Sequence, residues 1–287
     1  MSAKIIDGRK IATDIRKKVV DDVKRLKSKY GIIPNIATVK IGSDPQSDLY
    51  LSLRDKACLE VGIKSKHVEL PSNVSEKKAI EEIKKLNDDG NTHGILIQFP
   101  IPKNLSQDKL INCIGSKKDV EGFTAENMGR LMIGDESIIP CTPLAVLTIL
   151  EEEKIVFEGK DAVIVNHSNV VGKPLLGLFL NRNASVSVVH VFTKDLKKYT
   201  SEAEILVSAT GVPRLITGDY VKKGAFVIDV GIVKTKDSVC GDIDFESVKN
   251  KAGALTPVPG GVGPVTVACS LLNMVKTFKS CIEDADE

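Results

Sequence analysis

The sequence has almost no excess of charge of either sign: 40 Lys and Arg against 38 Asp and Glu leave a formal +2. Its lysines are spread along helix-like stretches such as 16–29, so there is no polycationic surface for a phosphate backbone, and no nucleic acid partner is expected. The six cysteines, Cys58, Cys113, Cys141, Cys240, Cys269 and Cys281, form no C-x-x-C pair, and the four histidines form no H-E-x-x-H. No metal centre is therefore expected. Scattered cysteines of this kind are expected as buried reduced thiols, with Cys141, in Pro140-Cys-Thr-Pro143, placed to line a pocket. No uncharged apolar run approaches the roughly 20 residues that span a bilayer, and Met1-Ser-Ala-Lys-Ile-Ile-Asp7 lacks a secretory apolar core. No membrane partner is expected, and the cytoplasm is the expected compartment. Internal repeats and low-complexity segments are also missing.

What is present is an ordinary balance of 42% hydrophobic and 27% charged residues over 287 positions, enough for two domains. Short runs rich in β-branched residues, at 36–41, 93–98, 162–165, 186–189, 204–208 and 225–230, read as buried strands. Amphipathic stretches at 8–30, 47–61 and 75–87 read as helices. Their alternation predicts an α/β fold of parallel, doubly wound type. The expected arrangement is two α/β lobes around a cleft, the second lobe Rossmann-like. Residues 1–139 form the first lobe, 140–263 the second, and a helix over 264–287 returns to the first. Ligands of such folds bind outside the carboxyl ends of the strands.

The densest local signal is 256–266, Thr-Pro-Val-Pro-Gly-Gly-Val-Gly-Pro-Val-Thr, with three prolines and three glycines in eleven residues. Proline stiffens a loop and glycine lets a ligand approach the main chain, so this segment is either a rigid ligand-facing loop before a helix or a stiff linker. After the strand 162–165 comes Asn166-His-Ser-Asn-Val-Val-Gly172-Lys-Pro174, a turn feeding a helix. It lacks the G-x-G-x-x-G fingerprint, and spacing alone serves a phosphate-binding turn and a plain loop equally.

Further segments decide between these alternatives. Lys4-Ile-Ile-Asp-Gly8, Gly42-Ser-Asp-Pro-Gln-Ser-Asp-Leu-Tyr50, Gly94-Ile-Leu-Ile-Gln-Phe-Pro-Ile-Pro102, Lys118-Asp-Val-Glu-Gly-Phe123, Pro140-Cys-Thr-Pro143 and Val227-Ile-Asp-Val-Gly231 occur in order with the Pro-Gly loop. Together they resemble the bifunctional methylenetetrahydrofolate dehydrogenase/cyclohydrolase family over nearly the whole chain. The resemblance implies a tetrahydrofolate derivative as substrate and hydride transfer from its one-carbon bridge to a nicotinamide dinucleotide. A second step would open the methenyl product to 10-formyltetrahydrofolate. It also implies a homodimer joined through the nucleotide half. By resemblance Tyr50 and Gln98 line the reacting edge, Ser47 and Glu121 fix the folate, and Pro259, Gly260 and Gly263 shape the rim. Asn166, His167, Ser168, Gly172, Pro174, Thr193, Lys194 and Ile232 would contact the dinucleotide, Ile232 at the nicotinamide.

Several positions depart from the family pattern. Ser47, Tyr50 and Arg54 fall on one helical face, but the family has lysine where Arg54 stands. A guanidinium stays protonated and presents a fixed fork, so Arg54 can orient and stabilise but not act as a base. Lys56, two residues on, faces elsewhere. Glu121 replaces the family aspartate that takes the amino-pyrimidine edge of the pterin, one methylene longer. Asn166 stands where the turn has glycine, and because Asn tolerates left-handed backbone the turn is expected to survive with some loss. Relatives often have arginine at Val191. Lys194 and, when protonated, His167 remain as cations for a 2′-phosphate, and no acidic residue in 189–193 is available to hold a free 2′-hydroxyl, which favours NADP over NAD. The expectation is thus an NADP-dependent dehydrogenase with the cyclohydrolase step weakened or lost through Arg54. Two alternatives stay open: full bifunctionality with Arg54 and Glu121 compensating each other, and a folate- or nucleotide-binding protein without turnover.

Overall fold

In a computed structural model the protein is described over residues 2–234 and 239–283, with the backbone alone described for 45–50. The chain runs β1 (Lys4–Ile5), α1 (Gly8–Tyr30), β2 (Asn35–Ile41), α2 (Pro45–Val61), β3 (Lys64–Leu70), α3 (Glu76–Asp88), β4 (Gly94–Ile97), α4 (Gln107–Ile111) and α5 (Ala125–Met132). It continues α6 (Cys141–Glu152), β5 (Asp161–Val165), α7 (Gly172–Leu180), β6 (Ser185–Val189), α8 (Leu196–Thr200), β7 (Ile205–Ser208) and β8 (Phe226–Asp229). It closes with β9 (Val233–Lys234), β10 (Val239–Cys240), α9 (Phe245–Val248), β11 (Ala254–Leu255) and α10 (Val262–Glu283). Two compact units result. One comprises Asp14–Arg130, Glu136–Cys141 and the chain from Val267; the other comprises the chain up to Thr13, Leu131–Asp135 and Thr142–Thr266.

The first unit holds a parallel three-stranded sheet in the order β3-β2-β4. Ala37, Val39 and Ile41 of the central β2 and Ile95 and Ile97 of β4 are buried against Ala79, Ile83 and Leu86 of α3. Those three helix positions are four and three residues apart, which is one face of a helix. Ser75 starts α3 by accepting the Lys78 N–H at 3.2 Å, and Lys118 Nζ ends it by donating to the carbonyls of Asn87 (2.6 Å) and Asp89 (3.0 Å). The cation therefore meets the negative end of the helix dipole. Gly94 exists because a Cβ there would sit 2.5 Å from Met274 Sδ and 2.5 Å from Val120 Cγ2.

The second unit is a parallel six-stranded sheet, β1-β11-β8-β7-β5-β6. From β5 the chain moves outward to β6, then returns to β7 on the other side, so the carboxyl ends of β5 and β7 bound a topological switch point. The sequence points to one division at Pro140, with residues 1–139 in one lobe. The structure instead assigns the chain up to Thr13 to the six-stranded unit, because β1 pairs with β11, Lys4 beside Ala254 and Ile5 beside Leu255. A two-residue strand is too short to show periodicity in sequence. The Pro-Gly loop is also shorter than its motif: α10 already begins at Val262, so Gly263 and Pro264 lie in its first turn. Proline is tolerated there because first-turn N–H groups have no acceptor within the helix.

Among the described residues α10 has the length and hydropathy to cross a bilayer, yet 61% of that stretch is buried. Phe278 meets the His93 ring edge-on at 4.7 Å, and Asn273 and Met274 are fully enclosed, as in a core helix. Among the described residues no group of three His, Cys, Asp or Glu could hold a metal ion.

Candidate active site

In the three-stranded unit, three of the expected residues meet. Arg54 on α2 is 2% exposed, and its Nη2 donates to Gln98 Oε1 at 2.6 Å. Its Nη1 lies 3.9 Å from Glu121 Oε1. The Gln98 amide is oriented at both ends, because its Nε2 donates to the Phe99 carbonyl at 3.0 Å. Burial raises the Glu121 pKa above the ordinary carboxylate range, the Arg54 charge opposes that rise, and the nearby Asp119 adds to it. The cluster is therefore a desolvated cation with a carboxyl that takes up a proton more readily than an exposed one. Gln98 also opens onto a cavity of about 330 Å³ bounded by Gly42, Asp44, Ser72, Pro100 and Pro102. The backbone of α2 carries positions 47 and 50, but the side chains of Ser47 and Tyr50 lie outside the described residues.

Asp119, which the sequence does not mark as functional, builds the turn that presents Glu121. It is 1% exposed; its Oδ1 accepts the Gly122 N–H (2.8 Å), and its Oδ2 accepts Thr124 N–H (2.8 Å) and Asn127 Nδ2 (3.0 Å). Gly122 turns the chain at φ +71, where a side chain would also press on Pro140 N at 3.0 Å. Asn273 of α10, fully buried, ties the same region by donating to the carbonyls of Val120 (2.9 Å) and Ile139 (2.8 Å). Cys141, expected at a pocket wall, is instead 2% exposed and donates to Val120 O at 3.5 Å. Burial, with the Glu121 and Cys269 charges, raises its pKa well above that of a free thiol, so it packs as an inert group.

In the six-stranded unit the turn after β5 is organised by Asn166. Its Oδ1 accepts the N–H groups of Ser168 (2.7 Å) and Gly172 (3.0 Å), and its Nδ2 donates to the Ala209 carbonyl at 2.6 Å. Among the described residues the non-glycine positions with positive φ are Lys154, Asn183 and Arg214, and Asn166 is not one of them. The sequence expectation of a left-handed Asn is thereby corrected: Asn stands here for its side chain, which joins the βα turn to the loop after β7. Ser168 completes the turn, its Oγ accepting Val171 N–H at 3.1 Å and its carbonyl accepting Lys173 N–H at 3.0 Å. A Cβ on Gly172 would lie 2.1 Å from Asn166 O, so this position admits only glycine. Pro174 follows in the first turn of α7, buried.

Pro259, Gly260, Gly263 and Ile232 come together around a cavity of about 180 Å³, which Arg9 and Asp229 also line. Gly260 has φ +106 and faces the Arg9 guanidinium, its Cβ position 3.5 Å from Arg9 Nε. Gly8 lies against this loop so closely that a Cβ would stand 1.9 Å from Gly261 O. The Lys4–Gly8 motif and the Pro-Gly loop are thus two sides of one contact, and Arg9 enters the site because it follows Gly8. Ile232 is 63% exposed, an apolar side chain at the edge of this cavity.

Two buried carboxyls fix the loops at the ends of β7 and β8. Asp229 accepts N–H groups of Gly231, Asp242 and Ile243, each at 3.0 Å. Asp242, fully buried, accepts from Ser208 Oγ (2.9 Å), Gly211 N–H (2.9 Å) and Thr210 N–H. Burial pushes the Asp229 carboxyl up to about 7 against the pull of its N–H donors, with the Asp242 charge adding to the rise. Farther along, His167 and His190 place their rings 4.5 Å apart at the ends of β5 and β6. Thr193 Oγ1 accepts His190 N–H at 2.9 Å, and Lys194 is exposed beside it.

A parallel sheet with a switch point, a glycine-dependent strand-to-helix turn and an exposed apolar residue beside a rigid loop define a dinucleotide-binding enzyme. Comparison with known proteins specifies which. Residues 6–121 match the catalytic domain and residues 140–282 the NAD(P)-binding domain of tetrahydrofolate dehydrogenase/cyclohydrolase. The bifunctional protein FolD of Methanosarcina barkeri is 54% identical, over 98% of this chain and 96% of its own. The crystal structure of the bifunctional FolD dehydrogenase/cyclohydrolase of Campylobacter jejuni superposes with TM-score 0.95 at 42% identity, covering 97% of this chain and 99% of that one. That of Trypanosoma brucei FolD, complexed with NADP and an inhibitor, gives 0.94 at 34% identity, covering 98% and 99%. The chain belongs to the tetrahydrofolate dehydrogenase/cyclohydrolase family. It is accordingly an enzyme with an NAD(P)-binding domain and a tetrahydrofolate derivative as substrate.

Proposed function

We propose that the protein oxidises 5,10-methylenetetrahydrofolate to 5,10-methenyltetrahydrofolate with NADP, and that its second step, hydrolysis to 10-formyltetrahydrofolate, is slowed by Arg54. Residues 14–130 would hold the folate and residues 140–263 the dinucleotide, in a homodimer joined through the nucleotide half. The observation that carries the proposal is the buried Arg54–Gln98–Glu121 cluster.

Bound NADP supplies a hydride acceptor at nicotinamide C4. The oxidation itself moves no proton to or from the protein, so alignment is what the chain must provide. Glu121 accepts from the amino-pyrimidine edge, Gln98 borders the reacting carbon, and Ile232 with the Pro259–Gly263 segment excludes water from the ring edge. In the hydrolytic step water bonds to the methenyl carbon and gives up one proton; the hydroxyl so formed then loses its proton to become the formyl C=O while N5 takes up a proton and its bond to that carbon breaks, with one proton released overall. The residue in contact with Gln98 would have to exchange a proton at this point, and a guanidinium does not.

One observation favours a second reading in which hydrolysis persists. Glu121, raised in pKa and 3.9 Å from Arg54, is a carboxyl able to carry the proton that Arg54 cannot. A spectrophotometric assay separates the two. Methenyltetrahydrofolate is given to the unmodified protein and to Arg54→Lys; decay near the uncatalysed rate in the first and a gain of at least about tenfold in the second supports slowed hydrolysis. Rapid decay in the unmodified protein supports the Glu121 route. Dehydrogenase rates with NADP and NAD, in the same cuvette, test the cofactor assignment.

A further inference from the structure

We infer that Lys40, beside Gln98 on the neighbouring strand, is the amine that exchanges the proton in the hydrolytic step and carries the hydrolysis that the protein retains. This inference rests on the folate reading proposed above. β2 reads Asn35-Ile-Ala-Thr-Val-Lys-Ile41 and is the central strand of its sheet, paired with β3 on one side and β4 on the other. Such a strand of a parallel sheet is expected to be apolar on both faces, and lysine is among the residues least often buried. Lys40 breaks the pattern and is half-buried all the same.

Strand register fixes where this lysine stands. Val39 pairs with Ile97, and the Gln98 N–H donates to the Val39 carbonyl at 2.9 Å, so Lys40 and Gln98 are the next neighbours on strands about 4.8 Å apart. Side chains alternate along a strand, and Val39 and Ile97 are buried with α3, which leaves Lys40 and Gln98 together on the opposite face. Arg54 reaches that face from α2. Lys40 and Gln98 also line one cavity, that of about 330 Å³, with Asp44. Gln98 thus has two cations for neighbours, and they differ in kind. The guanidinium donates to its Oε1 at 2.6 Å and keeps its proton, whereas a lysine ammonium can give one up. Asp44 at the cavity and Glu69, which β3 sets beside Lys40 in register, are carboxylates that favour the charged form when the amine takes a proton.

The hydrolytic step then balances through Lys40. Water adds to the methenyl carbon, and the amine takes one of its protons and becomes an ammonium. The ammonium protonates N5 as the bond from that carbon to N5 breaks, and the remaining hydroxyl proton passes to solvent as the formyl C=O forms. The amine is regenerated, one proton is released, and none passes through Arg54, which holds Gln98 in place.

The test follows methenyltetrahydrofolate decay over a range of concentrations of the full chain, with dehydrogenase activity measured on the same samples. Slow decay in proportion to the unmodified protein is expected. Lys40→Met, which keeps the length of the side chain, and Lys40→Arg, which keeps its charge, should each cut that decay by at least about tenfold while dehydrogenase kcat/KM falls by no more than about threefold. Methylamine should restore part of the decay to Lys40→Ala, beyond its effect without protein. Hydrolysis that survives in Lys40→Met overturns the inference and places the proton elsewhere, and survival in Lys40→Arg overturns it by showing that charge alone suffices. An equal loss of both activities overturns it as well, because it marks a lysine that only supports the fold. Decay at the uncatalysed rate at every concentration of the unmodified protein, with dehydrogenase activity present, overturns the role of Lys40 and leaves slowed hydrolysis standing. Absence of both activities from the unmodified protein removes the folate reading, and the role of Lys40 with it.

Discussion

Replacing Asn166 by glycine, the residue the family pattern has there, should weaken this protein. The three side-chain hydrogen bonds of Asn166, to Ser168, Gly172 and Ala209 at 2.6–3.0 Å, are each worth about 1 kcal/mol net. Asn166 is half-buried, so water recovers part of that loss, but glycine also adds about 0.4–1 kcal/mol of chain entropy to the unfolded state. The expected cost is about 2–3 kcal/mol, which for a chain of this size lowers Tm by about 3–5 °C. Because positive φ is not required at 166, glycine gains nothing in return. Thermal unfolding of the apo protein measures the effect, and KM for NADP should rise with it, since the turn loses its tie to the loop after β7. Asn166→Asp should be intermediate in stability, keeping the acceptor oxygen while setting a second oxygen against the Ala209 carbonyl. A glycine variant melting within about 1 °C of the original would show that water or a shifted turn replaces these bonds fully, and the assignment of Asn166 as organiser would be wrong.

Two further outcomes follow from the Asp229–Asp242 pair. With its folded pKa raised from 3.8 to about 7, Asp229 favours the folded state most below pH 3.8 and loses that contribution as pH rises through about 7. Over this window the loss is at most about 4 kcal/mol, and Asp229→Asn should flatten the decline in denaturation midpoint between about pH 4 and 7 while lowering stability overall. Gly241→Ala should be severe, because its Cβ would stand 1.9 Å from Asp229 Oδ2 and the surrounding segment is buried. A fall in Tm of at least several degrees is expected, and a variant as stable as the original would mean that the Asp229 carboxyl is free to move.

Much of the fold is legible in the chain. The β-branched runs at 36–41, 162–165 and 204–208 lie in β2, β5 and β7, because an inner strand of a parallel sheet is covered on both faces and must be apolar throughout. β3, Lys64–Leu70, escapes the same search because it is an edge strand with alternating exposure and five polar residues out of seven. The candidate site divides in a similar way. Arg54, Gln98 and Glu121, or Pro259, Gly260 and Ile232, are visible through motifs and do meet within their units. Asp119, Asp242 and Asn273 are not: Asp119 accepts the N–H groups of its own turn, Asp242 accepts those of the loop after β7, and Asn273 donates to the distant carbonyls of Val120 and Ile139. No spacing rule relates a buried polar side chain to the backbone groups it will serve. Arg9 belongs with them: its presence at the Pro-Gly loop follows from the contact of Gly8 with Gly261, which only the folded chain reveals.

The two departures from the family pattern on the folate side are one feature. Arg54 and Glu121 face each other at 3.9 Å, and the extra methylene of Glu121 extends its carboxyl toward a guanidinium that a lysine ammonium would not match in reach or planarity. A buried ion pair of this kind couples its members: removing one partner leaves the other desolvated without compensation. Arg54→Lys and Glu121→Asp, made singly, should therefore each lower dehydrogenase kcat/KM, the first by loosening Gln98 and the second by withdrawing the carboxylate from Arg54. Made together they restore the lysine–aspartate pair of the family, and the double variant should be more active than the product of the single effects by at least about fivefold, a coupling of about 1 kcal/mol. Methenyltetrahydrofolate hydrolysis, followed in the same four proteins, should rise most in the double variant. Strict additivity in both activities would show that the ion pair carries no function, and that each residue was replaced for reasons independent of the other.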